Sequence, residues 1–314
     1  MVVVIVTVTA NPAYDITYEM SDLVVGGVHR VREVHQQVGG KGINVARVLQ
    51  GLGESTVAVV LGDKAFGEEA RAQGLDLDLV EGLPAVRRTV VLHTADGTTT
   101  SLWEPGEPAT RSAVAQLRAR VSARMPDTTG LVVSGSLPPG VCDDLPARLA
   151  EQAVAAGVPV IVDVDDEALR VASKVAGVVL VPNADELSRL TGSRLPGVAE
   201  VLVAARTCVD DGAAAVVATR GEDGLLAVTA ACAWLARLDA PLAGNPTGAG
   251  DATVAGVIRG LAAARSWPDL LRDAVALSAA AVLAPKAGCV DSGVYRELLH
   301  RVTVDEVEMS GRTP

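Results

Sequence analysis

Residues 130–163 read GLVVSGSLPPGVCDDLPARLAEQAVAAGVPVIVD. An apolar run, Gly130–Ser134, meets a turn rich in Gly and Pro, and Leu145–Ala156 then repeats its apolar residues at helical spacing. A second β-branched run follows at Pro159–Asp163. Strand, helix and strand in that order predict a βαβ unit, whose two strands lie parallel in one sheet.

The same alternation extends outward from that unit. A helix is expected at Arg111–Arg124 before it. A helix at Glu167–Ala172, a strand at Gly177–Val181, a helix at Ala199–Asp210 and a strand at Ala214–Thr219 follow. Leu225–Ala243 reads as antiparallel strands, and Gly250–Ala264 and Asp269–Leu283 as two helices. Near the start, Met1–Thr9 reads as a buried strand, Ile43–Leu52 as a helix and Thr56–Leu61 as a strand. Two stretches break the pattern. Val24–Val38 and Val86–Leu102 alternate as half-covered strands do, and Asp96-Gly97 is a hairpin signal in the second. The expectation is an α/β body from residues 1–10, 38–85 and 105–314, with a mainly parallel central sheet. Stretches 11–37 and 86–104 are expected to pair as a small β-sheet lid that closes over a site and excludes water.

Composition fits this reading. The 49% hydrophobic content is mostly Ala, Val and Leu, with three Trp, three Tyr and one Phe, so helices can pack closely on a buried sheet. A net charge of −11 argues against a nucleic-acid partner, and an anionic ligand would need a locally basic pocket. Cysteines 142, 208, 232 and 289 have neither metal nor disulfide spacing, so buried thiols in a reducing compartment are expected. The four histidines, at 29, 35, 93 and 300, have no metal-ligand spacing either. The opening MVVVIVTVTANP lacks a basic leader, and no charge-free apolar stretch approaches the ~18–20 residues of a membrane span. A cytoplasmic protein with no membrane partner is expected.

Two glycine-rich runs carry the chemistry. Asn245-Pro-Thr-Gly-Ala-Gly-Asp251 leads into an Ala-rich helix. Gly248 and Gly250 let the backbone approach a ligand, and the helix N-terminus offers free amides, so residues 248–250 can form an anion hole with Asp251 beside it. There a carboxylate can accept a hydroxyl proton while the amides stabilise a phosphoryl group. A glycine loop with an acid in the first helical turn accounts for the same residues. The second run is Gly39-Gly40-Lys41-Gly42-Ile43-Asn44-Val45-Ala46. It has neither P-loop nor GxGxxG spacing, and alone it reads as a structural turn. Asn44, on the first helical turn, can donate to and accept from a sugar hydroxyl, and Lys41 can offset a phosphate charge.

Taken together, the runs resemble the PfkB (ribokinase-like) carbohydrate kinases over essentially the whole chain. The nearest branch is that of the 1-phosphofructokinases, tagatose-6-phosphate kinases and minor 6-phosphofructokinases. The residues that carry the likeness are TANPAYD at 9–15, GGKGINVARVL at 39–49, SGSLPPG at 134–140, PNADEL at 182–187 and NPTGAGDA at 245–252. The resemblance implies a three-layer α/β/α fold with a β-sheet lid, and transfer of the ATP γ-phosphoryl group to a ketohexose phosphate. It implies Asp251 as general base, with Gly248, Ala249 and Gly250 as the anion hole. It places Asp15, Gly40, Lys41 and Asn44 around the sugar, and Arg87 or its neighbour Arg88 on the sugar's phosphate, with Arg30 a second candidate. It places Asn183, Thr219, Gly221 and Gly224 on the nucleotide, and Glu186 on Mg²⁺ through water. A K⁺ site is a further option within the family, and a homodimer through the lid is expected because bare strand edges invite pairing.

Two positions depart from the family pattern. Asn245 stands where Asp is common, and Val181 where Lys is frequent. Other readings stay open at this level: a kinase of an unphosphorylated sugar, or a non-catalytic sugar-phosphate sensor on the same fold. A dinucleotide-dependent oxidoreductase is disfavoured, because Thr9-Ala-Asn-Pro-Ala lacks the required glycines after the first strand.

Overall fold

β-Branched runs become strands and Ala- and Leu-rich runs become helices, in the order the sequence predicts. The computed structural model describes residues 3–284 and 286–309. The first third of the chain comprises β1 (Val4–Thr9), β2 (Ala13–Met20), β3 (Glu33–Gly39), α1 (Lys41–Gly51), β4 (Thr56–Gly62), α2 (Lys64–Ala72), β5 (Leu77–Glu81), β6 (Arg87–Thr94) and β7 (Thr99–Trp103). The middle holds α3 (Arg111–Arg124), β8 (Thr128–Ser134), α4 (Leu145–Ala155), β9 (Val160–Asp163), α5 (Asp166–Ala172), β10 (Val179–Leu180), α6 (Ala184–Thr191), α7 (Val198–Asp210) and β11 (Ala215–Thr219). Then come β12 (Leu225–Thr229), β13 (Ala233–Leu238), α8 (Ala249–Ala262), α9 (Trp267–Val282), α10 (Ser292–Leu299) and β14 (Val302–Val307).

Ten strands form one sheet in the order β14-β13-β12-β11-β10-β9-β8-β1-β4-β5, parallel from β11 to β5 and antiparallel from β11 to β14. Side-chain alternation assigns the two faces. Val4, Val6 and Val8 of β1 pack with α3 to α7, whereas Ile5 packs with α1, α8, α9 and α10. The body is therefore a three-layer α/β/α sandwich. α8 and α9 approach closely because Gly256 faces α9: a Cβ there would lie 2.6 Å from Ala274 Cα. Chain order reverses at β1, which sends the chain first to β4 and β5 and later to β8 through β11. Such a switch point opens a crevice at the carboxyl ends of the strands.

A second, four-stranded sheet runs β3-β2-β6-β7. The stretches expected to pair do so through β2 and β6, which are parallel, while β3 and β7 add antiparallel edges.

Several expectations need correction. Within Val24–Val38 only the part from Glu33 onward forms strand. Gly26 turns the chain at φ 84°, and Val25 and Val28 stand almost fully in solvent, so no partner backbone completes a ladder there. The Gly177–Val181 strand keeps only two residues in ladder. α2, β5, α6, α10 and β14 were not anticipated. The cysteines are free, but only Cys208 is buried and Cys142 is exposed. Residues 1 and 2 of the first expected strand lie outside the described residues. Among the described residues no helix is long and apolar enough to cross a membrane.

Candidate active site

The carboxyl ends of β1, β8 and β9 deliver Asn11, Ser134 and Asp163 to one edge of the sheet, beside the N-termini of α1 and α8. Gly40, at φ 110°, starts α1 and sets Lys41 and Asn44 on its first turn. The flanking glycines are sterically required. A Cβ on Gly39 would run into the Asp15 carboxylate, and one on Gly42 would lie 2.5 Å from Thr9 Oγ1.

Asp251 is buried on the first turn of α8. Asn44 Nδ2 donates to its Oδ2 at 3.1 Å and to Asp15 Oδ2 at 3.4 Å, so one amide joins the two carboxylates. Burial and then the charge of Asp163 push the Asp251 carboxyl up to about 7, against the opposing pull of Lys41 and Asn44. Asp15, on β2, accepts from Thr89 Oγ1 at 2.5 Å. Burial raises its pKa too, and the Thr89 and Asn44 hydrogen bonds partly offset the rise.

Gly248 begins α8 in the left-handed region at φ 87°, where a Cβ would lie 3.0 Å from Ala287 Cα, whereas a Cβ on Gly250 would meet nothing. Of the predicted anion-hole amides, that of Ala249 is already engaged, donating to Pro246 O at 3.1 Å, whereas those of Gly248 and Gly250 have no protein acceptor among the described residues. The departure at Asn245 does not unmake the turn, since Asn245 Oδ1 accepts from Thr247 N–H at 3.0 Å.

Lys41 differs from expectation. Its ammonium lies 3.1 Å from Asp163 Oδ1, 3.4 Å from Asp165 Oδ1 and 3.9 Å from Glu186 Oε1. Burial alone would lower its pKa, but Asp163, Asp165, Glu186 and Asp251 more than reverse this and hold it charged. It is a paired cation and does not by itself demand an anionic ligand. Of the acidic cluster at 163–167, Asp163 and Asp165 face Lys41, while Asp166 pairs with Arg189 and Glu167 with Arg170. Ser134 Oγ donates to Asp163 at 2.7 Å, so it braces this cluster and is no free nucleophile.

The structure separates the three candidate arginines. Arg87 turns inward, donating to the carbonyls of Glu104 at 2.8 Å and Asn11 at 3.4 Å. Burial lowers its pKa, while Asp15 and Asp165 pull it back up. Arg88 points outward and is held by both oxygens of the Glu104 carboxylate. Arg30 lies exposed in the connection between β2 and β3 and is not brought together with the other site residues.

Farther along the same edge, Asn183 caps α6 in a reciprocal box. Its Oδ1 accepts from Glu186 N–H and Glu186 Oε2 accepts from Asn183 N–H, each at 2.8 Å. An isolated parallel bridge joins Asn183 to Thr219, whose amide donates to Pro182 O at 2.9 Å. Gly221 and Gly224 shape the next turn at φ 58° and 84°. Glu186 is buried, which raises its pKa against the pull of Lys41. Val181, the other departure, is a buried core residue. Among the described residues no three His, Cys, Asp or Glu side chains could hold a metal ion together.

Sequence reasoning missed Arg47, Thr89 and Gln37; it read Asp163 and Asp165 as a metal site or as acids at a helix start and did not pair them with Lys41. Arg47 Nη1 donates to Asn44 Oδ1 at 3.1 Å, and Gln37 Nε2 ties β3 to Ala287 O at 2.8 Å. One signal was available: Asp163 ends a predicted parallel strand, and such ends share one edge.

Residues 8–292 match the model of the pfkB family of carbohydrate kinases, and the chain belongs to that family. It is thus a carbohydrate kinase, a phosphotransferase with an alcohol acceptor. It is 26% identical over 309 residues to tagatose-6-phosphate kinase of Staphylococcus epidermidis, covering 96% of this chain and all of that protein. Phosphofructokinase-2 of Escherichia coli in complex with fructose-6-phosphate superposes with a TM-score of 0.86 at 29% identity, over 95% of this chain and 98% of that one. The same protein has been solved in complex with potassium and in a tetrameric inhibited form. Ribokinase of Arabidopsis thaliana complexed with ribose and ATP shares the fold, with a TM-score of 0.72 at 22% identity over 95% and 99% of the two chains.

Proposed function

We propose that the protein transfers the γ-phosphoryl group of ATP to a hydroxyl of a ketohexose phosphate, with fructose 1-phosphate, fructose 6-phosphate and tagatose 6-phosphate as the candidate acceptors. The observation that carries this reading is Asp251, buried on the first turn of α8 with a carboxyl poised near 7, beside the unpaired amides of Gly248 and Gly250. A base with that pKa suits proton transfer at neutral pH.

Asp15 and Asn44 hold the acceptor sugar, with the Gly40 turn beneath it. Asp251 takes the proton of the attacking hydroxyl as its oxygen bonds to the γ-phosphorus, and ADP departs. The amides of Gly248 and Gly250 stabilise charge on the transferring group, with Ala249, whose own amide is held by Pro246 O, setting the turn between them. Lys41 keeps Asp163, Asp165 and Glu186 compensated at the edge of that site. Asn183, Thr219, Gly221 and Gly224 line the nucleotide side.

A divalent cation fits the site in a limited sense. Glu186 spends Oε2 on its helix cap and leaves Oε1 toward Lys41. Such a donor suits Mg²⁺ carried mainly by nucleotide phosphates and water, with Glu186 reached through water. When bound, the ion supplies neutralisation of phosphate charge. A K⁺ requirement is part of the proposal, prompted by the potassium complex of the Escherichia coli relative.

A phosphorylated acceptor is favoured by Arg87, whose Nη2 has no protein acceptor among the described residues. A free guanidinium nitrogen beside the sugar pocket suits a phosphate. Stretches 11–37 and 86–104 act as the lid over the body formed by 1–10, 38–85 and 105–314, and a homodimer forms through the lid. Exposed Val34, Leu102 and Trp103 on the lid strands support that assembly. The test is steady-state kinetics of Arg87→Ala. kcat/KM for ketohexose phosphates is expected to fall by about 100-fold, the scale of one charge-assisted contact or two. Activity toward free hexoses is expected to stay as it was. An equal loss for both acceptor classes would remove the phosphate assignment.

A further inference from the structure

Among the described residues, Asn44 is the only side chain that hydrogen-bonds both Asp251 and Asp15, and a carboxamide can serve carboxylates in one orientation only. Nδ2 must face them, since Oδ1 in its place would set oxygen against oxygen. While Asp251 is ionised, the carboxylates themselves enforce this. Once Asp251 holds a proton, its hydroxyl can donate, and a flipped Asn44 offering Oδ1 would become a good partner. That arrangement would trap the base in its protonated, idle form.

Arg47 stands against that flip. It lies one turn beyond Asn44 on α1, and its Nη1 donates to Asn44 Oδ1 at 3.1 Å. Its Nη2 donates to the carbonyl of Val38 at the end of β3, at 2.7 Å, and to Gln73 Oε1 at 3.4 Å. These anchors fix the guanidinium before any ligand arrives. Gly288 leaves the room it needs: a Cβ there would sit 3.1 Å from Arg47 Nη1 and 3.2 Å from Asn44 Oδ1. A flipped amide would set its NH₂ against the guanidinium, donor against donor.

We propose that Arg47 is a positioning residue that locks the Asn44 amide, and thereby keeps Asp251 available as a base at neutral pH. This rests on the reading of Asp251 as general base. The other charged groups around Asp251 do not perform this task. Lys41 on α1 and Asp163 at the end of β9 act on its charge from the body side. Asp15 on β2 faces it across Asn44, with Arg87 of β6 beyond. Asp165 and Glu186 are engaged with Lys41, and Cys289 neighbours Arg47. None of these groups donates a hydrogen bond to Asn44 Oδ1.

The experiment is the pH dependence of kcat for wild type, Arg47→Lys and Arg47→Met, measured with ATP, Mg²⁺ and the best ketohexose phosphate. Losing the lock favours the protonated base, so the acidic limb is expected to move to higher pH. The expected shift for Arg47→Met is about one pH unit, equivalent to roughly tenfold lower kcat on that limb, the scale of one hydrogen bond to a charged group. KM for the sugar is expected to change less than kcat. Arg47→Lys keeps one donor and is expected to shift the limb less, in the same direction. If Arg47→Met melts below the assay temperature, Arg47→Lys carries the test alone. An unmoved limb in the folded variants, with loss confined to KM or to thermal stability, overturns the proposal. Asp251→Asn serves as the control: if that variant turns over normally, the base assignment fails, whereas an inactive Asp251→Asn with an unmoved Arg47 limb refutes this inference alone.

Discussion

At the scale of single residues, Asp251 sits in an environment that opposes its ionisation. Asp251 is 8% exposed, and its carboxyl is raised from 3.8 to about 7, first by burial and then by Asp163. The fold therefore binds this proton more tightly than the unfolded chain does. The resulting penalty is absent below the unfolded value of 3.8, grows as the pH rises, and is complete above about 7. At ~1.4 kcal/mol per pH unit the gap corresponds to at most about 4 kcal/mol. Asp251→Asn removes the buried charge while keeping an oxygen for Asn44. Its melting temperature is expected to exceed that of wild type at pH 8, with the difference shrinking toward pH 5. A pH-independent difference would mean that the carboxyl titrates normally. Lys41 teaches the complementary lesson. Its position was legible in the glycine run, but its partners were not, because Asp163 and Asp165 lie 122 and 124 residues away along the chain. The choice between Arg87 and Arg88 was also beyond the sequence, since only pairing across β6 decides which side chain turns toward Asn11 and which toward the Glu104 carboxylate.

At the scale of elements, periodicity was a good guide wherever a segment is long and buried on a defined face. The Arg111–Arg124 helix was placed to the residue, and the β8-α4-β9 unit within two residues at each end. Short elements escaped because three-dimensional context, not local pattern, makes them. β10 has only two ladder residues, and β14 is a strand because β13 offers it an edge. Stretch 24–32 failed for the opposite reason, an alternating pattern with no partner edge. The α8 and α9 pair gives a sharp test of packing. Gly256→Ala improves helix propensity by ~1 kcal/mol. Against this, the new Cβ would lie 2.6 Å from Ala274 Cα, which is backbone and cannot swing aside. Overpacking typically costs ~1–3 kcal/mol, so a net loss of stability is expected, read as a lower denaturant midpoint. An unchanged or higher midpoint would contradict the close helix approach.

At the scale of the whole molecule, the fold class, the parallel sheet and the pairing of the two exposed stretches were all legible in the sequence. The site itself was legible only as separate motifs. The switch in strand order at β1 is what gathers them, and strand order is a long-range property that no local window contains. The four-stranded sheet leaves Leu102 and Trp103 more than half exposed, which motivates the proposed dimer. Sedimentation equilibrium is expected to give twice the chain mass, and Leu102→Asp is expected to shift it toward the monomer. A monomeric wild type at working concentration would count against the lid interface. The central claim is that Asp251 is the base of a sugar-phosphate kinase. Its most direct measurement is ADP release from ATP, Mg²⁺ and each of the three ketohexose phosphates, for wild type and Asp251→Asn, alongside calorimetric binding of the acceptor. Turnover by wild type with at least one acceptor is expected, with a loss of about 10²–10⁴-fold in Asp251→Asn while the acceptor still binds. Near-normal turnover in Asp251→Asn would contradict the account.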